Sequence, residues 1–248
     1  MSDNIIYGRH PVWEALNAGR SFDKILLQKG IGGDTLREIM HLARENEIPV
    51  QSVPPETLNR LSKGKNHQGI LAFASMISYY EIEDVLAMTH EIGQTPLFLI
   101  CDGITDVGNF GAMARSAACA GVQAIIIPAK GAAAINAETL KASAGALQKV
   151  HICKVRFLDK TIRYLRENGL QIVATGLQTN TFIHQLDFTQ PTALIMGAEG
   201  KGVSPIFLKM ADQTAQIPIP GQFDSYNVSV ATGIVLYEAV RQRFSEKQ

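Results

Sequence analysis

The chain has 248 residues, 46% of them hydrophobic and 19% charged, and this composition excludes an intrinsically disordered protein. No apolar run approaches the roughly 20 residues of a membrane span, and the polar first residues are not typical of a signal peptide. Basic and acidic residues balance at 23 each, so a global basic field is absent. Three cysteines without a paired framework favour a reducing cytoplasm.

The first 75 residues predict a small α/β domain. Helical and strand periodicities alternate from its start to its end. Asp34 is expected to cap the second helix, and two prolines open the third. The predicted elements are the helix HPVWEALNAG, the strand KILLQ, the helix DTLREIMHLARENE, the strand PVQSV, the helix PPETLNRLSKG and the strand GILAFAS.

Residues 76–95 are interpreted as a linker, a hinge followed by a short amphipathic helix. They carry 4 acidic residues and no Lys or Arg, whereas residues 1–75 carry 9 basic and 8 acidic residues. Residues 96–248 carry 14 basic and 11 acidic residues. The neutral total therefore conceals a mildly basic remainder, and it is only weak evidence against an RNA partner.

Residues 96–248 form the third predicted region, in which longer and more apolar strands alternate with helices. This pattern predicts a parallel sheet covered on both faces, with ligands bound outside the carboxyl ends of its strands. Strands are predicted over PLFLICDGI, VQAIIIPA, HICKV, LQIVATGL, TALIMG and QTAQIPI, and helices over NFGAMARSAACAG, NAETLKASAGALQK, LDKTIRYLREN, SPIFLKMA and NVSVATGIVLYEAVRQRF.

Three loops place glycine and polar residues where a parallel strand should end. The first spans residues 102–111 and leads into a helix that carries Arg115. The second spans residues 196–202, and the third spans residues 217–221, before the run SYNVS at 225–229. Taken alone, each loop is equally consistent with an ordinary glycine-rich βα connection.

Other chemical fingerprints are missing from the sequence. No G-x-G-x-x-G follows a predicted strand, Gly202 is followed by Val203 instead of the lysine of a P-loop, and no G-x-S-x-G occurs. His151 and Cys153 lack the further ligands of a metal site. A nucleotide-dependent NTPase or oxidoreductase is therefore disfavoured, and no metal is predicted.

Together, the three loops resemble the motifs of the SpoU (TrmH) family of RNA ribose 2′-O-methyltransferases. The likeness covers essentially the whole chain. The first motif, Asn-x-Gly-x-x-x-Arg, matches Asn109, Gly111 and Arg115. The other matches are Gly197, Glu199, Gly200 and Gly202 in the second motif, Ile217, Pro218, Gly221, Ser225, Asn227 and Ser229 in the third, and Tyr7-Gly8-Arg9 and His67-Gln68-Gly69 in the N-terminal part.

This resemblance implies a fold, a reaction and an assembly. The fold is α/β: a parallel-sheet trefoil-knot domain of the SPOUT class over residues 96–248, preceded by a small RNA-binding domain like that of a ribosomal protein. The knotted domain is expected to bind S-adenosylmethionine and to form a homodimer, with the final helix at or near the interface. The substrate expected from the most similar bacterial members is a guanosine ribose of large-subunit ribosomal RNA.

The resemblance also implies residue roles. Arg115 is expected to be catalytic, either activating or orienting the 2′-hydroxyl, together with Asn109, Glu199, Ser225 and Asn227; Ser225 is also expected to cap the final helix. Contacts with S-adenosylmethionine are expected at Thr175, Gly176, Gly197, Ile217, Tyr226 and Asn227. RNA recognition is expected at Arg9, Lys63, Lys65 and His67, and the basic stretch Lys149, Lys154, Arg156, Lys160, Arg163 and Arg166 is either a phosphate-binding surface or a solvated helix face.

Two alternatives stay open at this point. Transfer RNA as the substrate would keep the same chemistry. A non-catalytic RNA-binding protein would need only the first domain, and the joint presence of Asn109, Arg115, Glu199 and Asn227 weighs against it.

Overall fold

A computed structural model describes residues 4–46 and 48–245. The chain divides into two units, Met1–Ser78 and Tyr79–Gln248, and each has its own sheet and core. The helix expected within the linker spans Ile82–Glu91, and its buried side chains join the core of the second unit. The linker assigned from the sequence therefore contributes most of its length to the second unit.

The first unit is a four-stranded mixed sheet of order β1-β4-β2-β3, in which only β2 and β3 run parallel. Ile25 and Leu27 pack against α1 and α2 on one face, and Leu26 packs against α3 on the other, because successive strand side chains point to opposite faces. The elements are β1 Ile5–Tyr7, α1 Arg9–Asn17, β2 Phe22–Gln28, α2 Asp34–Glu45, β3 Val50–Val53, α3 Pro55–Ser62 and β4 Ile70–Ala74.

Two details of the first unit differ from the sequence-based expectations. The strand β1 was not predicted, because three residues are too few to show an alternating pattern. Asp34 is the first residue of α2 and Gly33 occupies the cap position, so the prediction that Asp34 caps this helix is wrong. The Asp34 carboxylate instead accepts a hydrogen bond from Arg37, at 3.1 Å.

The second unit is built on a six-stranded, fully parallel sheet of order β10-β8-β9-β5-β6-β7. Helices α4, α7 and α8 pack on one face, and α5, which contacts α6 and α9, lies on the other. The elements are α4 Ile82–Glu91, β5 Leu97–Asp102, α5 Val107–Cys119, β6 Ala124–Pro128, α6 Ala137–Ala142, β7 His151–Val155, α7 Leu158–Glu167, β8 Gln171–Thr175, β9 Thr192–Gly197, α8 Pro205–Met210, β10 Gln213–Ala215 and α9 Val228–Ser245, with short 3-10 turns at Ala146–Gln148 and Ile183–Gln185.

The predicted parallel sheet with helices on both faces is therefore confirmed; the trefoil knot stays a prediction. The helix expected over residues 136–149 is wrong in its second half. It ends at Ala142, because Ala144 and Gly145 take left-handed conformations with φ of 49° and 84°, and a 3-10 turn follows. No helix in the described ranges is both long enough and apolar enough to span a bilayer.

Candidate functional site

The first two predicted loops begin side by side in the second unit. Asp102 at the end of β5 pairs in register with Gly197 at the end of β9. β8 lies on the other side of β9, and its last paired residue, Ala174, is opposite Ile195. Two residues further along both strands, Gly176 is therefore level with Gly197. The Gly176 N–H donates to the carbonyl of Ala215 on β10 at 3.0 Å. Three of the candidate segments thus meet at the carboxyl edge of the sheet, where parallel sheets bind ligands.

The loop after β9 is folded tightly back on itself. Gly202 N–H donates to the carbonyl of Ala198 at 2.8 Å, and Ser204 N–H donates to the buried carboxylate of Asp102 at 2.6 Å. A Cβ on Gly197 would lie 2.0 Å from the carbonyl carbon of Gly202, so only glycine fits there. The anchoring role of Asp102 was not predicted, since one aspartate at a strand end carries no distinctive pattern.

Side chains from three distant parts of the sequence meet above this edge, and we call Asn109, Glu199 and Asn227 the amide–carboxylate cluster. Asn227 Nδ2 donates to Asn109 Oδ1 at 3.0 Å and to Glu199 Oε2 at 3.5 Å. Asn109 Nδ2 donates to the same Glu199 oxygen at 3.3 Å. Glu199 therefore accepts hydrogen bonds from both amide groups. In the described part of the chain it forms no ion pair.

Two helix N-termini hold the amides of the cluster in place. Asp106 caps α5, because its carboxylate accepts a hydrogen bond from Asn109 N–H at 2.7 Å. Asn227 precedes α9, and its Oδ1 accepts from Ser229 N–H at 3.0 Å and from Ser229 Oγ at 2.6 Å. The residue that caps α9 is therefore Asn227, and the prediction that Ser225 does so is wrong.

The other two candidate catalytic residues are not bonded to the cluster. Arg115 is exposed on α5, six residues after Asn109 and so about 9 Å along the helix axis. Ser225 is exposed in the segment before Asn227. Neither forms a hydrogen bond or ion pair with the residues that the structure describes. Gly111, the motif glycine between Asn109 and Arg115, allows close packing of α5 on α6, because a Cβ there would lie 2.5 Å from Cβ of Ala142.

The residues expected to hold the methyl donor come from neighbouring strand ends. Thr175 ends β8 and Gly176 follows it, beside Gly197 of β9, and Ile217 follows β10. The Tyr226 side chain is 40% exposed next to the cluster residue Asn227. Half-exposed apolar side chains and backbone groups at adjacent strand ends suit a ligand with an adenine ring and an amino-acid tail.

The first unit has a candidate site of its own, a cavity of about 910 Å³. Three of the four residues predicted to contact RNA line it, namely Arg9, Lys65 and His67, whereas Lys63 does not. The remaining lining residues are Gln28, Ile31, Asn59, Ser62, Gly64, Asn66, Gln68 and Gly69, so the wall combines two cations with five amide or imidazole side chains and no carboxylate.

Hydrogen bonds fix the conformation of this cavity. Arg9 Nε donates to the carbonyl of Gln68 at 3.1 Å, and Arg9 N–H donates to Gln68 Oε1 at 3.0 Å. Gly69 N–H donates to His67 Nδ1 at 3.0 Å, so His67 Nε2 carries the proton that it shares with Asn59 Oδ1 at 2.8 Å. The Lys65 ammonium lies 4.8 Å from the centroid of the Tyr7 ring.

Comparison with known proteins gives one consistent result. The model of the SpoU rRNA methylase family matches residues 96–237, and that of the RNA 2′-O ribose methyltransferase substrate-binding domain matches residues 5–80. The 23S rRNA (guanosine-2′-O-)-methyltransferase RlmB of Vibrio parahaemolyticus is 39% identical over 100% of both chains. A putative TrmH family tRNA/rRNA methyltransferase of Staphylococcus saprophyticus is 35% identical over 98% of this chain and 97% of that protein.

Among solved structures, an AdoMet-bound rRNA methyltransferase from Sinorhizobium meliloti superposes with a TM-score of 0.59. It is 25% identical, and the match covers 96% of this chain and 87% of that one. The likeness therefore extends across both units and not only across the three motif loops.

Variants of Asn227 should show how much its capping of α9 stabilises the fold, apart from the hydrogen bonds that its Nδ2 donates in the cluster. Asn227→Ala removes the cap of α9 and should lower the free energy of unfolding by about 1 kcal/mol, whereas Asn227→Ser keeps a capping oxygen and should stay within about 0.5 kcal/mol of the parent. Urea denaturation of the full chain measures both. Equal stabilities of the two variants would show that Asn227 does not stabilise the helix by capping.

Proposed function

Because the chain belongs to the SpoU rRNA methylase family, we propose that it methylates the ribose 2′-hydroxyl of a guanosine in large-subunit ribosomal RNA. The proposal takes its substrate from the relative that is 39% identical over the full length of both chains. The amide–carboxylate cluster carries it on the structural side, because it joins one residue from each of the three motifs at a ligand-binding edge. We assign RNA recognition mainly to the first unit and the chemistry to the second.

S-adenosylmethionine supplies an electrophilic methyl group on a sulfonium centre. The residues suited to hold it are Thr175, Gly176, Gly197, Ile217 and Tyr226, from the ends of adjacent strands and the segment before α9. Backbone N–H and C=O groups can fix the amino-acid tail, and the exposed faces of Ile217 and Tyr226 can pack on the adenine.

The cluster itself orients the ribose. With Glu199 engaging both amide groups, Asn109 and Asn227 are held in one rotamer each. Asn227 uses both amide hydrogens and its Oδ1 within the protein, so the second Nδ2 hydrogen and the second Oδ1 lone pair of Asn109 are the cluster amide groups left for sugar hydroxyls. A carboxylate that accepts two N–H groups acts as a positioning group, and its negative charge keeps the amide nitrogens turned toward it. We propose that Ser225, which is exposed two residues before Asn227, contacts the same sugar.

Arg115 acts on the hydroxyl oxygen. A guanidinium stays protonated at neutral pH, so its contribution is to orient the 2′-hydroxyl and to stabilise the negative charge that grows on it as the proton leaves. An exposed arginine without a partner in the described part of the chain is available for this role once RNA is bound.

Transfer of labelled methyl groups to unmodified ribosomal and transfer RNA, followed by digestion to nucleosides, tests this function. We expect 2′-O-methylguanosine in ribosomal RNA, and about a 100-fold or greater loss of turnover in Arg115→Ala with S-adenosylmethionine affinity within a few-fold. Arg37→Ala, which removes another exposed arginine, is the control. Methylation of transfer RNA alone would overturn the substrate, and a fully active Arg115→Ala would remove Arg115 from the mechanism.

We further propose that the cavity of the first unit binds the RNA substrate. Its two cations are suited to phosphates, and its amides are suited to the edges of unpaired bases. Lys63 lies outside the cavity and is proposed only as an additional phosphate contact.

The paired variant Arg9→Gln/Lys65→Gln should raise KM for RNA about tenfold and leave kcat at saturating RNA and S-adenosylmethionine affinity unchanged. The slope of log affinity against log salt should also fall by about one to two. Lys24→Gln is the matched control, because the Lys24 ammonium lies over the Phe73 ring at the same 4.8 Å as Lys65 over Tyr7. An unchanged KM would exclude the cavity from RNA binding.

We also propose that the chain forms a homodimer through α9. Val230, Tyr237 and Phe244 are 51%, 68% and 69% exposed and follow each other at intervals of seven residues, so they form one apolar stripe. A second copy of the same helix offers the same stripe, which a two-fold interface requires.

Sedimentation of the full chain tests the dimer. The parent should sediment as a dimer, and Tyr237→Glu should shift it toward the monomer by placing a charge in the apolar contact. Met40→Glu, at a 44% exposed position on α2 of the first unit, should not. A monomeric parent protein would refute this assembly.

A further inference from the structure

An exposed aromatic ring flanked by two cations follows β7 directly. We call Arg156, Phe157 and Lys160 the Phe157 platform. The Phe157 side chain is 46% exposed, with the Arg156 guanidinium 5.0 Å and the Lys160 ammonium 4.9 Å from its ring centroid. The acidic residue of this stretch, Asp159, is paired with Arg163 at 3.2 Å.

The platform stands at the same edge of the sheet as the amide–carboxylate cluster. Pro128 pairs with Val155, and the register of β5 with β6 brings Asp102 level with Pro128. Phe157 is thus two residues beyond the row of Asp102. β7 is the second strand from β5, which corresponds to about 10 Å at the usual strand spacing. β9, which Glu199 follows, is the third strand from β7, or about 14 Å away at the same spacing, so a nucleotide near the one held at the cluster can reach the platform.

Local sequence choice also indicates a role for the ring. Phe157 occupies the N-cap position of α7, where Ser, Thr, Asp or Asn would stabilise the helix, and its side chain forms no cap. A phenylalanine there leaves helix N–H groups without that partner and exposes apolar surface. Such a departure from local preference is typical of functional positions.

The chemistry of the platform matches single-stranded RNA. Bases stack on exposed aromatic rings more strongly than a cation binds over an exposed ring. A base can therefore replace one cation on the ring face, and the displaced cation is left beside the phosphate of the same nucleotide. A second pair of this kind, Lys154 over Tyr79 at 5.0 Å, extends the surface along β7.

We propose that the Phe157 platform binds an unpaired nucleotide that flanks the methylated one, with its base stacked on Phe157 and its phosphate between Arg156 and Lys160. This inference rests on the proposed function, since it requires an RNA at the cluster. A second copy of the chain is a less suitable occupant, because the apolar stripe of α9 belongs to the opposite face of the sheet from α7.

Three variants of the full chain test the platform. Phe157→Leu keeps apolar bulk without a stacking ring, and it should raise KM for RNA about tenfold with kcat at saturating RNA and S-adenosylmethionine affinity unchanged. Phe157→Trp should restore KM. Arg156→Gln/Lys160→Gln should raise KM and flatten the salt dependence of RNA binding.

A direct signal of stacking is available, because the chain has one tryptophan, Trp13. RNA should quench the fluorescence added by Phe157→Trp, relative to the parent. The controls lie at the other end of the unit: Ile92→Ala, at the end of α4, and Lys209→Gln, in the last turn of α8. Both should keep the parent KM.

The outcomes separate the two proposals. If the parent transfers no methyl group to RNA, the proposed function fails. If the parent is active but Phe157→Leu keeps its KM and Phe157→Trp is not quenched, the platform is refuted. If Phe157→Leu changes sedimentation and leaves RNA affinity unchanged, the ring contacts a second copy, and the platform is again refuted.

Discussion

The hydrogen bond from Asn227 to Asn109 joins parts of the chain 118 residues apart, and the candidate site depends on it. It ties the start of α9 to the start of α5, and Glu199 completes the link by accepting from both amides. The parallel register makes this meeting possible, because it brings the end of β5 level with the end of β9. The site is therefore a consequence of strand order as much as of its three side chains.

The motif glycines show how packing and chemistry share the same short segments. Gly197 is fixed by the backbone of Gly202, and Gly111 is fixed by the approach of α6. Neither glycine needs a ligand to explain it. Asn109, two residues before Gly111, and Glu199, two residues after Gly197, instead contribute polar side chains that meet in the cluster. Each motif therefore combines two kinds of residue. Its glycines let backbone segments approach closely, and its polar residues are brought together by that close approach.

The sequence predicted most of the fold, because strands buried on both faces are apolar throughout and read clearly. It also predicted that Asn109, Glu199 and Asn227 belong to one site, through the family motifs. It did not predict that Asn227 caps α9, since Ser225 is an equally good capping residue in sequence. Nor did it show that Asp102 anchors the loop after β9, or that the Phe157 platform lies at the same sheet edge as the cluster. Both depend on which strands are neighbours in the sheet, and local sequence patterns do not contain the strand order.

The distribution of charge explains how a chain with no net charge can select an RNA. The cations assigned to RNA phosphates are few and local: two in the cavity of the first unit, Lys63 outside it, and two on the Phe157 platform. The cavity pair and the platform pair each lie beside side chains that can contact bases. Few phosphate contacts give little sequence-independent affinity for RNA, so any base contacts supply a larger share of the binding free energy. A neutral protein of this design would bind random RNA weakly. Under the proposed function, selection among unpaired nucleotides is the task of the exposed amides, the imidazole and the aromatic ring.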